Sequence, residues 1–329
     1  MKAVVYTRYG PPDVLRLKDV PRPVPKKDEV LIKVHAAEVT KADCEMRSFN
    51  LPVKWFLLPL RMVMGLQKPR KQILGGYFSG EIVSRGGNAT SFKKGDQIFG
   101  AAKLRFGAHA EYVCLPDGYT LVPKPFNLSH EEAAAVPLGG LNALHFLRLA
   151  RIQPGEKILI NGAGGSIGPF GIQIAKSMGA EVTAVDSPTK KDMLLRAGAD
   201  AFLDYTKVDF TQNRGAYDII FDMVAKSSYD GCIDALNRKG RYLIANPRLL
   251  DMVRAILTSM FTLKKVRFAF AGETKEELIT LKTMLEEGTI RSIIDRVYPM
   301  ERVVEAHRRV ENEKRLGPVV LSMGKGGGR

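Results

Sequence analysis

From residue 156 onward, short apolar runs alternate with segments whose apolar residues have helical spacing. Six of these runs lack polar alternation: KILIN (157–161), EVTAV (181–185), AFLDY (201–205), YDIIFD (217–222), RYLIA (241–245) and VRFAF (266–270). Strands of this kind are typical of a parallel sheet that is covered by helices on both faces. The pattern therefore predicts a doubly wound α/β domain.

The first 120 residues show a different pattern, of short β-rich segments bounded by Gly, Pro and Asp. These are AVVYT (3–7), EVLIKVHAAEV (29–39), FSGEIVSRG (78–86), DQIFGAA (96–102) and AEYVCLP (110–116). Helices are predicted after Ser129, which has Glu132 at capping-box spacing, and over 139–150. The tail returns to strand, helix and strand (SIIDRVY, MERVVEAHRRVENE, PVVLSM), and we expect it to rejoin the N-terminal part.

A glycine-rich turn lies in the stretch NGAGGSIGPFGIQIAKSMGAEVTAVD, residues 161–186. A helix is predicted after it, with Ile167, Phe170, Ile174 and Met178 on the face toward the sheet. The N-terminus of this helix lies at the carboxyl end of a strand, where free N–H groups and the helix dipole favour a pyrophosphate. The G-x-G-x-x-G spacing falls on Ala163, Gly165 and Gly168. We therefore predict a dinucleotide-binding turn formed by Ala163, Gly164, Gly165, Ser166, Ile167 and Gly168.

The second strand of this unit ends in Asp186, where an acid can bind the hydroxyls of the adenosine ribose. A carboxylate here repels the additional phosphate of NADP. The following Ser187, Lys190 and Lys191 can instead bind that phosphate, or the lysines are solvated charges at a helix start. The choice between NADH and NADPH stays open at this point.

Composition and charge narrow the class of protein. The chain has 329 residues, enough for two domains, with 50 basic and 35 acidic residues and a net charge of +15. The basic residues are scattered and form no stripe interleaved with aromatics, so nucleic-acid binding is not expected. Three isolated cysteines favour a reducing cytoplasm, and we find no signal peptide at the N-terminus.

At this point the sequence resembles the medium-chain dehydrogenase/reductase superfamily, in its zinc-independent quinone oxidoreductase and alkenal reductase branch. The resemblance covers nearly the whole chain and is carried by segments such as MKAVVYTRYGPPDVLRLKDVPRPVP, DEVLIKVHAAEVTKADCEMR, GEIVSRGGNATSFKKGDQIFG, EEAAAVPLGGLNALHFL and GADAFLDYT. It implies a GroES-like β-rich catalytic domain of residues 1–124 and 273–329. It also implies a Rossmann dinucleotide-binding domain of residues 125–272, and a cofactor cleft between the two.

The resemblance further implies a homodimer in which the strand VRFAF pairs across the two-fold axis. Lys190 and Tyr205 match positions that hold the adenosine phosphate in NADPH-using relatives, whereas those relatives have a neutral residue in place of Asp186. In the zinc alcohol dehydrogenases of the superfamily, a Cys, a His and a Cys bind the catalytic metal. The matching positions here are Thr40, Gly76 and Leu138, so no zinc is expected.

Without a Lewis acid, moving the hydride of a simple alcohol is difficult. A quinone or conjugated enal/enone is an easier acceptor because it delocalises the incoming charge. We therefore expect NADH- or NADPH-dependent reduction of such an acceptor. Candidate catalytic residues are Thr40, Asp43 and Tyr77, and Asn142 matches a position near the nicotinamide. For Asp43 and Tyr77, a purely structural role in loops is the alternative.

Two other functions stay open: alcohol or aldehyde oxidoreduction, and dinucleotide binding with little turnover in a regulatory or membrane-peripheral protein. The apolar and basic segments 51–71 and 249–265 bear on this choice. Three interpretations stay open for these segments: a wall for a hydrophobic acceptor, a helix packed on the core, or a peripheral membrane patch. In the last, Trp55, Phe56 and Leu57 of the first segment enter the lipid.

Overall fold

The N-terminal part is a set of antiparallel strands. The computed structural model describes residues 1–51, 57–269 and 272–324, without the side chains of residues 57–59 and 63. The strands are β1 (Lys2–Val5), β2 (Arg16–Asp19), β3 (Glu29–Val39), β4 (Tyr77–Arg85), β5 (Gln97–Ala101), β6 (Tyr112–Pro116) and β7 (Leu121–Pro123). Two helices, α1 (Lys41–Ser48) and α2 (Leu57–Met64), lie between β3 and β4. All five predicted β-rich segments overlap an observed strand.

The transition to the second domain occurs through two consecutive helices, α3 (His130–Ala134) and α4 (Val136–Ala150). Ser129 caps α3 as predicted: its side chain accepts from the N–H of Glu132, and the Glu132 carboxylate accepts from the N–H of Ser129. Helix α4 begins three residues before the predicted 139, with Pro137 in its first turn, where the missing N–H costs nothing.

The predicted parallel sheet is confirmed. Its strands are β8 (Lys157–Asn161), β9 (Glu181–Asp186), β10 (Ala201–Asp204), β11 (Tyr217–Asp222), β12 (Leu236–Ile244) and β13 (Lys265–Phe268). They lie in the order β10-β9-β8-β11-β12-β13, and every pairing is parallel. The intervening helices are α5 (Gly168–Ser177), α6 (Lys191–Arg196), α7 (Tyr229–Ala235) and α8 (Leu249–Phe261). Phe270, at the end of the predicted last strand, lies outside the described residues.

The C-terminal part contains α9 (Lys275–Glu286), β14 (Arg296–Pro299), α10 (Val303–Glu311) and β15 (Val319–Ser322). Strand β15 pairs antiparallel with β3, so the tail rejoins the N-terminal sheet as expected. That sheet has the order β14-β15-β3-β4-β5-β7, with β6 also on β3. Leu278, Leu281 and Leu285 of α9 pack in the core that also covers the parallel sheet. The domain boundaries predicted above stay a prediction.

Helix α5 differs from its predicted one-sided burial. Phe170 and Ile174 are buried as expected, but Ile167 and Met178 are only partly covered. Conversely, Ile172 and Ala175, which lie off the predicted face, are fully buried. The reason is that α5 contacts both the sheet and α4, so it has apolar neighbours on two sides. Helix α5 is therefore packed on two sides where it follows the glycine turn.

Candidate active site

The glycine turn of residues 162–168 connects the carboxyl end of β8 to α5, and close backbone approaches fix it. A Cβ atom on Gly168 would overlap the backbone of Ala163, including its carbonyl oxygen. On α4, a Cβ atom on Gly139 would overlap the carbonyl oxygen of Ser166. Gly162 has φ of 79°, a value that favours glycine. Glycine at these positions therefore allows the turn and α4 to approach without steric overlap.

Asp186 ends β9 beside the turn, as predicted, because β9 pairs in parallel with β8. Its carboxylate accepts from the N–H of Gly164 at 2.7 Å and from the N–H of Ser187 at 2.7 Å. Lys190 forms an ion pair with it at 3.1 Å, and both side chains are buried. The Lys190 side chain occupies the space that a Cβ atom on Gly164 would need. Asp186 and Lys190, which are predicted to determine the preference for NADH or NADPH, thus neutralise each other's charge.

The other predicted adenosine-side residues surround this pair more loosely. Ser187 is partly exposed, and its hydroxyl is 3.2 Å from that of Thr189. Lys191 is exposed at the start of α6. Tyr205 follows β10, whose last residue pairs with Asp186, and it is 61% exposed. The structure therefore leaves these three side chains accessible to a ligand.

Two buried residues far from the turn in sequence contact Ser166, and the sequence analysis did not identify them. Arg315 donates from Nη1 to the Ser166 hydroxyl at 3.0 Å, and its Nη2 lies 3.5 Å from where a Gly165 Cβ would be. The Ser166 hydroxyl in turn donates to Oε1 of Glu38 at 2.6 Å. Burial raises the pKa of Glu38 to about 8, against the opposing effects of the Ser166 hydrogen bond and the Arg315 charge.

These residues fit the diphosphate of a dinucleotide. The guanidinium of Arg315 is a fixed positive charge beside Gly165. Within the described ranges, the N–H groups of Ser166 and Ile167 donate to no protein acceptor, as expected at a helix start. Free N–H groups, a helix N-terminus and an arginine are the features that bind phosphate groups in proteins.

Thr40 and Asp43 form the N-terminal cap of α1. The Asp43 carboxylate accepts from the N–H of Thr40 at 2.9 Å, from its hydroxyl at 2.6 Å and from the N–H of Gly75 at 3.0 Å. The hydroxyl of Thr40 also accepts from the N–H of Asp43. Both residues are buried. These contacts are those of the structural alternative, and a catalytic role for either residue stays a prediction.

Tyr77 follows Gly76 and forms a hydrogen bond with a carboxylate that the sequence did not indicate. Its hydroxyl donates to Oε1 of Glu273, the residue before the N-cap of α9. Burial and the Glu273 charge raise the pKa of Tyr77 well above its usual value, so the hydroxyl keeps its proton. Burial also raises the pKa of Glu273. In this structure the Tyr77 hydroxyl is therefore a protonated donor to Glu273, and a catalytic role for Tyr77 stays a prediction.

Other polar groups near the turn form hydrogen bonds within the protein, and the cofactor-binding role of Asn142 stays a prediction. Asn142 donates to the carbonyl oxygen of Leu138 within α4 at 2.9 Å. Asp222, at the carboxyl end of β11, accepts from the side chain of Asn161 at 2.9 Å and from the hydroxyl of Tyr242 at 2.7 Å. Burial raises the pKa of Asp222, and these hydrogen bonds oppose that rise. The Asp222 network ties together the ends of the two central strands beside the turn.

In the described part of the chain, no group of three or more His, Cys, Asp or Glu side chains is placed to hold a metal ion. Folding does bring Cys44 within 3.3 Å of Nδ1 of His307, a pair that their separation of 263 residues conceals. Arg47 is also 3.3 Å from that nitrogen, which disfavours a cation there. The expectation of no zinc stays a prediction.

Comparison with known proteins places the chain in a family. The model of the alcohol dehydrogenase GroES-like domain matches residues 26–126, and that of the zinc-binding dehydrogenases matches residues 197–321. A 2-methylene-furan-3-one reductase of Solanum lycopersicum is 30% identical over 98% of this chain and 79% of its own length. The chain belongs to the medium-chain dehydrogenase/reductase superfamily, in its quinone oxidoreductase branch.

Two further relatives of this medium-chain oxidoreductase support the same family assignment. The NADPH-dependent alkenal/one oxidoreductase of Arabidopsis thaliana chloroplasts is 29% identical over 98% of this chain and 79% of its own length. The solved structure of the quinone oxidoreductase from Coxiella burnetii is 28% identical, covers 98% of this chain and 99% of its own, and superimposes with a TM-score of 0.86. The superfamily consists of oxidoreductases that depend on nicotinamide dinucleotides.

Proposed function

We propose that this medium-chain oxidoreductase transfers hydride, without zinc, from NADH or NADPH to a quinone or a conjugated enal/enone. The observation that carries the proposal is the turn of residues 162–168, with Arg315 beside Gly165 and Asp186 beside Gly164. The acceptor class is supported by the relatives named above, which reduce quinones, alkenals or a methylene-furanone by name. It is also supported by Thr40, Gly76 and Leu138 at the zinc-ligand positions.

A bound nicotinamide dinucleotide supplies the hydride, and the protein supplies binding and orientation. Arg315 and the N–H groups at the start of α5 hold the diphosphate, and Asp186 has lone pairs left for a ribose hydroxyl. We assign Tyr77 as the hydrogen-bond donor to the oxygen of the acceptor, where negative charge develops. For this, its single hydroxyl proton must turn from Glu273 to that oxygen when the acceptor binds. A conjugated acceptor spreads that charge, so a neutral donor is sufficient.

The direct test measures oxidation of NADH and NADPH in parallel with 1,4-benzoquinone, a 2-alkenal and a simple ketone, with and without a chelator. We expect turnover with the first two acceptors and no effect of the chelator. Chelator-sensitive alcohol oxidation would support a dehydrogenase instead. Tight cofactor binding without turnover across the panel would support a regulatory role.

Replacement of Asp186 by asparagine is expected to shift cofactor preference toward NADPH. Loss of the carboxylate releases Lys190 from its ion pair, and the lysine can then bind the 2′-phosphate. One net charge at this distance changes the ratio of NADPH to NADH affinity by roughly tenfold. Fluorescence titration of both cofactors measures that ratio. Asp200→Asn, which removes an exposed ion pair with Lys176 beside the first residues of β9, is the matched control. An unchanged ratio in Asp186→Asn would remove Asp186 from the ribose site.

Replacement of Tyr77 by phenylalanine is expected to lower kcat roughly 10²-fold, the usual effect of losing one donor to a developing oxyanion. Cofactor affinity should not change. Because the pKa of Tyr77 is raised, its proton is retained as pH increases, and the wild-type kcat should show no loss from this group up to about pH 10. The control is Tyr112→Phe. Tyr112 lies on β6, and its ring packs against the guanidinium of Arg22. A kcat within twofold of wild type in Tyr77→Phe would contradict the assignment.

We further propose a homodimer formed along β13. This strand is at one end of the parallel sheet, and α8 beside it exposes a row of apolar side chains. They are Leu249, Leu250, Val253, Ile256, Leu257, Met260 and Phe261. Analytical ultracentrifugation is expected to give twice the chain mass, and a monomer would refute the dimer.

Trp55 and Phe56 of the alternative membrane patch lie outside the described residues, as does the side chain of Leu57. No helix among the described residues is long and apolar enough to cross a membrane.

A further inference from the structure

Glu38 is a buried carboxyl group directly behind the glycine turn. It lies on β3, its side chain is fully buried, and Oε1 accepts the hydroxyl proton of Ser166. Its other oxygen, Oε2, has no hydrogen-bond partner among the described residues. A buried carboxyl group with one unpartnered oxygen is costly to ionise. Because Glu38 contacts Ser166, a residue of the turn, the charge state of Glu38 can affect the proposed diphosphate site directly.

The charged and titratable groups around Glu38 come from several elements. Arg315, which precedes β15, reaches it through Ser166, and Asp43 of α1 and Tyr77 of β4 also lie close enough to interact electrostatically. His109, in the segment before β6, is 3.0 Å from the backbone oxygen of Glu38. Arg315 is thus the cation that faces the carboxyl group, and Asp43 is an anion that disfavours its ionisation.

The single hydroxyl proton of Ser166 has two competing uses. When Glu38 is ionised, Ser166 donates this proton to Glu38 and accepts from Arg315, so it has no donor left for a phosphate. When Glu38 is protonated, it can donate to the Ser166 oxygen. Ser166 then accepts from both neighbours, and its own proton is released to bind a phosphate oxygen.

We propose, on the basis of the dinucleotide site proposed above, that Glu38 and Ser166 form a proton-linked switch, in which docking of the diphosphate is coupled to uptake of one proton by Glu38. The two negative charges of the diphosphate add to this coupling, because they repel an ionised carboxyl group one residue away. Glu38 is a positioning residue: it sets the direction of the Ser166 hydroxyl and does not itself touch the cofactor.

Isothermal titration calorimetry with NADH measures the proton directly. Titrations in two buffers of different ionisation enthalpy at each pH, Tris and Bicine at about pH 8.5 and Bis-Tris and MES at about pH 6.5, give the number of protons taken up per chain. None of these buffers contains phosphate, which would compete for the site. Burial raises the pKa of Glu38 to about 8, so uptake is expected to be about 0.7 proton at about pH 8.5 and close to zero at about pH 6.5. The affinity for NADH is expected to decrease about tenfold between about pH 7 and pH 9.

Glu38→Gln places an amide donor toward Ser166 and imitates the protonated form. It is expected to show no proton uptake and to keep its pH 7 affinity at pH 9, within about twofold. Glu45→Gln is the matched control: Glu45 lies on α1 away from the turn, and burial raises its pKa to about 7. This variant should retain the wild-type uptake at pH 8.5. Ser166→Ala, which lacks the hydroxyl, should bind more weakly than wild type at about pH 7 and lose less affinity than wild type between about pH 7 and pH 9.

The outcomes separate this switch from the proposed function. Tight NADH binding with no proton uptake in the wild type, or uptake that persists in Glu38→Gln, would overturn the switch and leave the dinucleotide site intact. Absence of both NADH and NADPH binding at every pH would overturn the dinucleotide site itself. If Glu38→Gln does not fold, the wild-type proton count and the Ser166→Ala affinities still decide the question.

Discussion

Alanine at position 168 is expected to abolish dinucleotide binding and to lower the free energy of unfolding by about 3 kcal/mol, at the upper end of the usual cost of overpacking. A methyl group on Gly168 overlaps the backbone of Ala163, so it cannot be relieved by rotating a side chain. The start of α5 must move away from β8. That movement displaces the N–H groups of Ser166 and Ile167, which are proposed to hold the diphosphate.

Gly171, one turn later on the same helix, provides the control for Gly168. A Cβ atom there would be 3.5 Å from the nearest heavy atom, on Ile160, which is an ordinary van der Waals contact. Alanine also has the higher helix propensity, by up to about 1 kcal/mol. Gly171→Ala should therefore bind NADH normally and be as stable as wild type or more so. Thermal unfolding and NADH fluorescence titration measure both variants, and equal behaviour of the two would show that the turn tolerates displacement.

Removal of the Arg47 guanidinium is expected to destabilise the protein by about 3 kcal/mol, the lower end of the usual cost of breaking a buried ion pair, because the Glu311 side chain is 31% exposed. Arg47 is fully buried on α1 and forms an ion pair with Glu311 of α10. It also donates to the carbonyl oxygen of Gly10 at 3.1 Å. Arg47→Met fills the space but leaves Glu311 and the Gly10 carbonyl without their partner. We expect the loss of unfolding free energy to appear as a lower midpoint of unfolding in urea.

The control for Arg47 is an arginine on α10 whose ion pair is exposed. Arg308 binds both carboxylate oxygens of Asp13, at 2.7 Å and 2.8 Å, but both side chains are more than half exposed. Solvent screens such pairs strongly. The urea midpoint of Arg308→Met should match that of wild type. A similar midpoint for Arg47→Met would mean that the Arg47 pair contributes no more than an exposed one.

Local signals in the sequence predicted the parts of the fold that depend on neighbouring residues. The six apolar runs became the six parallel strands because their burial on both faces follows from their own composition. Ser129 capped its helix and Asp186 ended its strand, since both features require only a few adjacent residues. The burial of α5 was predicted less well, because contact with α4 depends on tertiary packing.

The contacts that complete the candidate site could not be predicted in this way. Ser166 is 149 residues from Arg315 and 128 from Glu38, and Tyr77 is 196 from Glu273. No spacing rule connects such residues, and Glu38, Glu273 and Arg315 look like ordinary charged residues in the sequence. Only the antiparallel pairing of β15 with β3 brings Arg315 and Glu38 to the same edge, where Val320 is opposite Glu38.

That pairing has a consequence for how the protein could be divided. Both side chains that contact Ser166 come from the β3–β15 part of the catalytic sheet, and not from the strands around the turn. A fragment of residues 125–272 would retain the glycine turn but lack the two side chains that contact Ser166, those of Arg315 and Glu38. The proposed recognition of the coenzyme's charge therefore depends on the intact chain. Moving residues 125–272 alone into a homologue would transfer the glycine turn without Arg315 and Glu38.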